Sequence, residues 1–261
     1  CYGGMFSGCT SLESLDLENI RNTGVHLKLM NYMFLDCTSL KSVDFSGWDT
    51  SKVEEMISVF QGCRNLESVN LKSFDTKNVT TLGSMFWGCE SLKTVDLSSF
   101  KTPNLEGVSD MFARSGIKSV DLSGFDFSKV WNYNGMFLEC PNLESLDLSY
   151  MTTPAMTDAR FIFSLCENLR SLDIRNFDFS KVPLDMFNYI LQGIGENGTC
   201  TISVNDKAYR RLQRASHTAF RDSDINWNVV DLHHSSDMSK DGKVVKLQSA
   251  AKGNGIDIVL M

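Results

Sequence analysis

The stretch Leu66–Cys89, LESVNLKSFDTKNVTTLGSMFWGC, carries the pattern on which the fold is read. Its opening Leu-Glu-Ser-Val-Asn-Leu alternates apolar and polar residues, the mark of a half-buried strand with its polar positions on the opposite face. Turn chemistry follows, in the style of Ser123-Gly124-Phe125-Asp126 in a later copy. The return limb sets apolar residues at Val79, Leu82, Met85 and Phe86, as Val53, Met56, Val59 and Phe60 do one unit earlier. That spacing predicts a short helix or 3₁₀ segment with one buried edge.

Working outward, the same pattern recurs along the chain. A phenylalanine column runs Phe6, Phe34, Phe60, Phe86, Phe112, Phe137, Phe163 and Phe187, with spacings of 28, 26, 26, 26, 25, 26 and 24 residues. Three residues after most of these stands a cysteine (Cys9, Cys37, Cys63, Cys89, Cys140, Cys166), with Ser115 in the remaining place. A strand block follows each time, from LESLDL at Leu12 to LRSLDI at Leu169. One strand and one short limb cannot close a core alone, whereas stacked units can. The expectation is therefore an α/β repeat: a solenoid of seven units, with a parallel sheet on one face and short helical limbs on the other.

The pattern L-x-x-L-D-L-S-x-F-D-T-S-x-V-x-x-M-x-x-M-F-x-G-C resembles the 26-residue surface repeat of BspA-like leucine-rich-repeat bacterial surface proteins, over about residues 5–187. Where the better-known leucine-rich consensus carries Asn or Cys after the strand, this chain has Ile20, Trp48, Phe74, Phe100, Phe125, Met151 and Phe177. An apolar spine thus replaces an asparagine ladder, and the resemblance implies a right-handed leucine-rich-repeat-like solenoid. Beyond the repeats, Cys200–Val204 reads as a strand, Asn205-Asp206 as the N-cap of a helix to about His217, and Ile225–Val230 as a closing strand. This strand–helix–strand piece is similar to the C-terminal caps of the same family. The expected organisation is a solenoid over 1–199, a cap over 200–232, and a linker with the possible start of a following domain over 233–261. The final GNGIDIVLM (Gly253–Met261) resembles the opening strand of an IgA-peptidase-like metallopeptidase domain.

Composition narrows the function classes. The chain has 261 residues, 42% apolar and 22% charged, with 25 Lys plus Arg against 32 Asp plus Glu. A net charge of -7 argues against a nucleic-acid partner. No apolar run approaches the roughly 18 residues of a membrane span. Residues 1–200 hold 16 basic and 25 acidic side chains and residues 201–261 hold 9 and 7, so the acid lies on the repeats.

The strand pattern leaves two polar columns outside the core. One reads Asp16, Asp44, Asn70, Asp96, Asp121, Asp147, Asp173; the other reads Ser14, Ser42, Ser68, Thr94, Ser119, Ser145, Ser171. With strands about 4.8 Å apart, the carboxylates form a line in which like charges repel by roughly 0.8 kcal/mol per pair even in water. Three readings are open. The carboxylates bond to neighbouring hydroxyls and backbone with Lys41, Lys93 and Lys118 nearby; or they form a ligand-binding face; or they hold a calcium row, although a flat ladder converges poorly on an ion wanting six to eight oxygens. The cysteine column is read as a small buried apolar column, with rung-to-rung disulfides and a metal cluster as alternatives. His26, His217, His233 and His234 form no HExxH, Gly253-Asn254-Gly255 lacks the context of a phosphate loop, and no nucleophile elbow occurs. Arg210, Arg211 and Arg214 would suit a solvated helix face or an acidic partner.

The resemblance implies a non-enzymatic, monomeric surface or secreted recognition module without cofactor, binding a protein or glycan on a host or neighbouring cell. The sheet face would carry the binding: Asp44, Asn70, Asp96, Asp121, Asp147 and Asp173 beside Ser42, Ser68, Thr94, Ser119 and Ser145. The alternative is a targeting or spacer domain of a larger, metallopeptidase-like hydrolase.

Overall fold

The computed structural model describes residues 3–17, 27–187, 189–198 and 200–212, and the backbone of 213–219 and 228–230. Ile20, Val25, His26, Ile225–Trp227, His233, His234 and the tail through Gly253–Met261 lie outside the described residues, as do the side chains of Arg214 and His217.

Successive units stack, each bonding its backbone to the next along two faces. On one face, β1 (Ser14–Leu15), β2 (Ser42–Asp44) and β3 (Ser68–Asn70) form a parallel sheet with Ser42 opposite Ser68 and Asp44 opposite Asn70. Farther along, β4 (Ser145–Asp147), β5 (Ser171–Asp173), β6 (Thr201–Asn205) and β7 (Asn228–Val230) form a second parallel sheet. The alternation works as the residues dictate: Val43 and Leu146 are buried while Ser42, Asp44, Ser145 and Asp147 face water.

The expected sheet is interrupted at its middle. Thr94–Asp96 and Ser119–Asp121 occupy the strand place of their units without forming strands. Two local features accompany the gap. The connection Ser115-Gly116-Ile117 is one residue shorter than Cys89-Glu90-Ser91-Leu92, drawing the chain so close to the previous turn that a Cβ on Gly116 would lie 2.0 Å from the Glu90 carbonyl oxygen. In addition, Leu122 donates its amide to the Tyr150 hydroxyl at 2.9 Å. The equivalent amides of Phe45, Leu148 and Ile174 bond instead to carbonyls of Asn70, Asp173 and Ser203.

The opposite face corrects the expectation of helical limbs. Leu29, Glu55, Thr81, Gly107, Asn132 and Asp158 are joined by successive parallel bridges. Beyond them, alternate amides point forward: Met56, Ser58, Phe60 and Gly62 donate to Thr81, Gly83, Met85 and Trp87 of the next unit. Backbone dihedrals make this possible. Ser58 (φ 55°) and Gly62 (φ 74°) are left-handed, as are Ser84 and Gly88 one unit on and Asp110 and Arg114 after them. A helix would turn those amides back upon their own segment. Among the described residues the repeat limbs contain a single 3₁₀ turn, Leu184–Phe187.

Between the faces lies the core. Rings from Phe6 through Phe34, Phe60, Phe86, Phe112, Phe137 and Phe163 stack at 5.1–6.0 Å with planes within 15°. Burying each ring contributes about 1.5–3 kcal/mol, and each stacked pair about 0.5–1.5 kcal/mol more. Trp48, Phe74, Phe100, Phe125, Met151 and Phe177 are buried as the second apolar spine.

Phe187 does not continue the first column. The backbone register (Phe163 amide to Ile190 carbonyl, Leu165 amide to Gln192 carbonyl) places Leu191 and Ile194 where earlier units have Phe and Cys. Phe187 sits in the 3₁₀ turn after Pro183 and packs on Phe179 at 5.6 Å. The cap follows: α1 (Asp206–Ala219) is N-capped by Asn205, whose Oδ1 accepts the Ala208 amide. The Asn205 side-chain Nδ2 also donates to the carbonyls of Arg175 and Phe177, tying α1 to the last unit.

Candidate recognition face

The Asp column is built by a repeated local device. Asp44, Asp96, Asp121, Asp147 and Asp173 each accept, through Oδ1, the amide two residues ahead, at 2.8–3.1 Å. A carboxylate closing its own turn in this way is the reason Asp suits the end of each short strand. Ser46 and Ser98 add their hydroxyls to the same oxygens at 2.7 and 2.6 Å. These bonds hold the carboxyls of Asp44, Asp96 and Asp147 below their ordinary range, the serine hydroxyl first and the amide second; at Asp121 the Ser123 amide comes first. Asn70 keeps the same turn with its side-chain oxygen on the Lys72 amide, and its NH₂ group donates to Asp44 at 2.9 Å. The repulsion along the line is thereby relieved at one rung by an amide and at another by a cation, for Arg175 forks onto Asp173.

The lysines take other partners. Lys41 pairs with Glu13 at 2.8 Å, and Lys93 reaches the Glu90 carbonyl. Asp44, Asp96, Asp121 and Asp147 are exposed, whereas Asn70 and Asp173 are half-buried. Ser42, Ser68, Thr94, Ser119 and Ser145 are all exposed, and their hydroxyls have no protein partner among the described residues. The face therefore carries one polar column, engaged through one oxygen at Asp44, Asp96, Asp121 and Asp147 and through both at Asp173, and a second column whose hydroxyls are free among the described residues. Only the outer parts of both columns lie on strands; Thr94, Asp96, Ser119 and Asp121 fall in the gap between the sheets.

Two further polar columns escaped the sequence reading. Asp49, Asp75, Asp126 and Asp178 repeat the turn, each accepting the amide two residues on. Beside them Thr50, Thr76, Thr102 and Thr153 are buried at 1% exposure. Thr76 Oγ1 donates to the Lys101 carbonyl at 3.0 Å and accepts the Lys101 amide at 2.9 Å; Thr50 does the same to Asp75. Each hydroxyl staples one unit to the next. The Asp-Thr pair in the turn was the available signal, but a threonine among turn residues reads as solvated.

The cysteine column is structural. Cys37, Cys63, Cys89, Cys140 and Cys166 are buried free thiols, each donating to the carbonyl of the column Phe in the preceding unit at 3.0–3.2 Å. Burial pushes Cys37 up to about 11 and Cys200 to about 12, and lifts Cys63 and Cys89 farther. Such thiols are poor nucleophiles. Ser115 faces Cys140 Sγ at 3.8 Å in the column's one hydroxyl place.

On the cap, Arg210 pairs with Asp206 at 3.0 Å, and Arg211 lies over the Phe187 ring and donates to the Val182 carbonyl. Both are thus engaged by the chain itself. A cleft of about 580 Å³ lies beside them, between Asn176, Asp178 and Ser180 of the last unit and Asn205 and Lys207 of the cap. No three His, Cys, Asp or Glu side chains converge for a metal among the described residues. No helix there is long and apolar enough to cross a membrane.

No curated protein matches the sequence. A family described as "Mycoplasma protein of unknown function, DUF285" matches residues 2–120 and again 114–192. The two matches meet within the stack and together take in every Phe–Cys turn from Phe6 to Cys166, well over half of the chain. The chain belongs to the DUF285 family.

Proposed function

We propose that this chain is a non-enzymatic recognition module of the leucine-rich-repeat solenoid kind, displayed at the cell surface or secreted, which binds a protein or glycan through the strand face. One observation carries the reading: a column of exposed hydroxyls without protein partners among the described residues runs beside Asp44, Asp96, Asp121 and Asp147, whose turn bonds use one carboxylate oxygen. Repetition gives such a face many weak contacts at once, and many weak contacts add up to useful affinity. The turn bonds fix where each carboxylate points, so little side-chain freedom is lost on binding. Placement outside the cell rests on the resemblance to BspA-like proteins.

The test uses Asp96, Asp121 and Asp147 changed together to Asn, since Asn70 already holds the same turn. The variant keeps the wild-type unfolding midpoint, and its binding to a glycan array and to a panel of immobilised matrix proteins falls, with the difference shrinking as salt screens the charges. Unchanged binding to a ligand that the wild type holds would remove the strand face from the reading. A collapse of stability would make the carboxylates structural acceptors alone.

A further inference from the structure

The stack is tied unevenly around its circumference, and the slackest junction joins the unit of Ser119–Asp121 to the unit of Ser145–Asp147. On the return-limb face this junction is complete. Tyr133, Gly135, Phe137 and Glu139 donate their amides to the carbonyls of Asp158, Arg160, Ile162 and Ser164 at 2.8–2.9 Å. On the strand face three ties lapse together. Ser119–Asp121 forms no strand against Ser145–Asp147, although the next junction pairs Ser145 with Ser171 and Asp147 with Asp173. Phe127 stands where Thr50, Thr76, Thr102 and Thr153 each accept an amide of the following unit, so the hydroxyl staple is missing. The second spine loses its ring contact as well: Phe100 stacks on Phe125 at 5.6 Å, but the next place is Met151. One junction earlier, Gly124 stands where Ser73 and Ser99 donate to the carbonyls of Phe45 and Leu71, and it has no side chain with which to do so.

From Leu143 to Met151, two hydrogen bonds cross this junction among the described residues. The Glu144 amide reaches the Lys118 carbonyl at 3.3 Å, and the Tyr150 hydroxyl accepts the Leu122 amide at 2.9 Å. Apolar contacts between units are non-directional and tolerate sliding, whereas short hydrogen bonds fix direction. A junction held by four short bonds on one side and two on the other bends about the side that is held. We infer that the stack carries a hinge at this junction. The return-limb bonds from Tyr133–Glu139 to Asp158–Ser164 are its axis, and the strand face is the side that opens. Tyr150 is the latch, because its hydroxyl takes the place of the next-unit carbonyl that the equivalent amides of Phe45, Leu148 and Ile174 meet. On the recognition reading proposed above, opening lengthens the step between Asp121 and Asp147 and fits the carboxylate row to partners of different spacing. That consequence rests on the reading; the hinge itself does not.

Distances between paired spin labels read the hinge with no ligand present, so a failure here leaves the recognition reading to its own test. One protein carries Ser42→Cys and Ser145→Cys on the strand face; a second carries Glu54→Cys and Thr157→Cys on the return-limb face, all four being exposed positions. Both are made in the full chain with Cys1→Ser and Cys9→Ser, the column thiols and Cys200 being buried. Each pair spans four steps of the stack, about 19 Å at the spacing of adjacent strands. The strand-face distance distribution is expected to be at least about twice as wide as the return-limb one. Tyr150→Phe is expected to widen it further and to leave the return-limb distribution unchanged, which also shows that the variant is folded. Equal widths on the two faces overturn the hinge. A strand-face distribution that Tyr150→Phe leaves as it was overturns the latch, and a variant that widens both faces overturns the inference as a whole, because Tyr150 then holds the entire stack.

Discussion

The strand face and the return-limb face of the stack are built from the same repeat, yet one is interrupted and the other is not. Strand pairing stops after Ser68–Asn70 and resumes at Ser145–Asp147. On the far side the bridges run from Leu29 to Asp158 without a break, and the forward-pointing amides continue to Leu165. The difference shows where the register of the stack resides. It is held by left-handed turns, by the phenylalanine column from Phe6 to Phe163, and by the thiol bonds of Cys37, Cys63, Cys89, Cys140 and Cys166. The strand face is half solvated and can lose two rungs, because exposed backbone groups there can bond to water in place of a neighbouring strand.

The sharpest way to break the comparison is to cut the column that holds the stack. Phe86 lies between Phe60 and Phe112, 5.6 Å from each. Phe86→Ala is expected to cost about 3–5 kcal/mol in urea unfolding and to uncouple the halves of a nearest-neighbour array. Val95→Ala, at a half-buried position in the strand gap, is expected to cost about 1 kcal/mol. Equal losses would mean that the two faces hold the stack alike.

The buried staple comes next. Thr76→Val keeps the shape and removes the hydroxyl, leaving the amide and carbonyl of Lys101 without their partner, for an expected loss of about 1–3 kcal/mol. Ser68→Ala, at an exposed hydroxyl on β3, is expected to stay within about 0.5 kcal/mol. Tyr150→Phe removes the acceptor of the Leu122 amide at the edge of the gap and is expected to cost about 0.5–1.5 kcal/mol by thermal or chemical unfolding. No change at all would mean that water replaces the hydroxyl as well as it does elsewhere on that face.

Acid should produce the smallest effect, confined to the turns. The carboxyls of Asp44, Asp96, Asp121, Asp126 and Asp147 lie below their ordinary values in the folded chain. Their stabilisation is therefore complete above the unfolded value of about 3.9 and is lost as pH falls through the lower folded values. Exposure keeps it modest. A urea midpoint measured from pH 6 to pH 3 should decline in the wild type and decline less in the variant with Asp96, Asp121 and Asp147 as Asn. Identical slopes would assign the acid sensitivity to other groups.

Much of this architecture is legible in one dimension. The Phe and Cys columns recur because each unit must match its neighbours on both sides, so periodicity exposes them directly. The return limb was misread as helical because apolar residues at Val53, Met56, Val59 and Phe60 satisfy a helix edge and a chain of alternating left-handed turns equally well. Nothing in hydropathy distinguishes amides that bond within a segment from amides that bond across units. The last rung shows the same limit. Phe187 has the residue type and nearly the spacing of the column, yet Leu191 and Ile194 occupy its places, since the 3₁₀ turn after Pro183 shifts the register. At the candidate face, the polar columns were readable by alternation, but the ties of Asp44 to Ser46 and of Asp173 to Arg175 depend on how each turn closes.

By itself the sequence determined the period, the identity of the buried columns and the side of each strand that faces water, because these follow from spacing and polarity. The tertiary structure alone decided that the threonines of the turns are buried staples and that the sheet opens in its middle. It alone decided that Leu191 and Ile194 rather than Phe187 take the last places of the Phe and Cys columns. The physical reason is common to all three. Burial and hydrogen-bond satisfaction in a stack belong to pairs of adjacent units, and a residue's own neighbours in the chain do not reveal what lies above and below it.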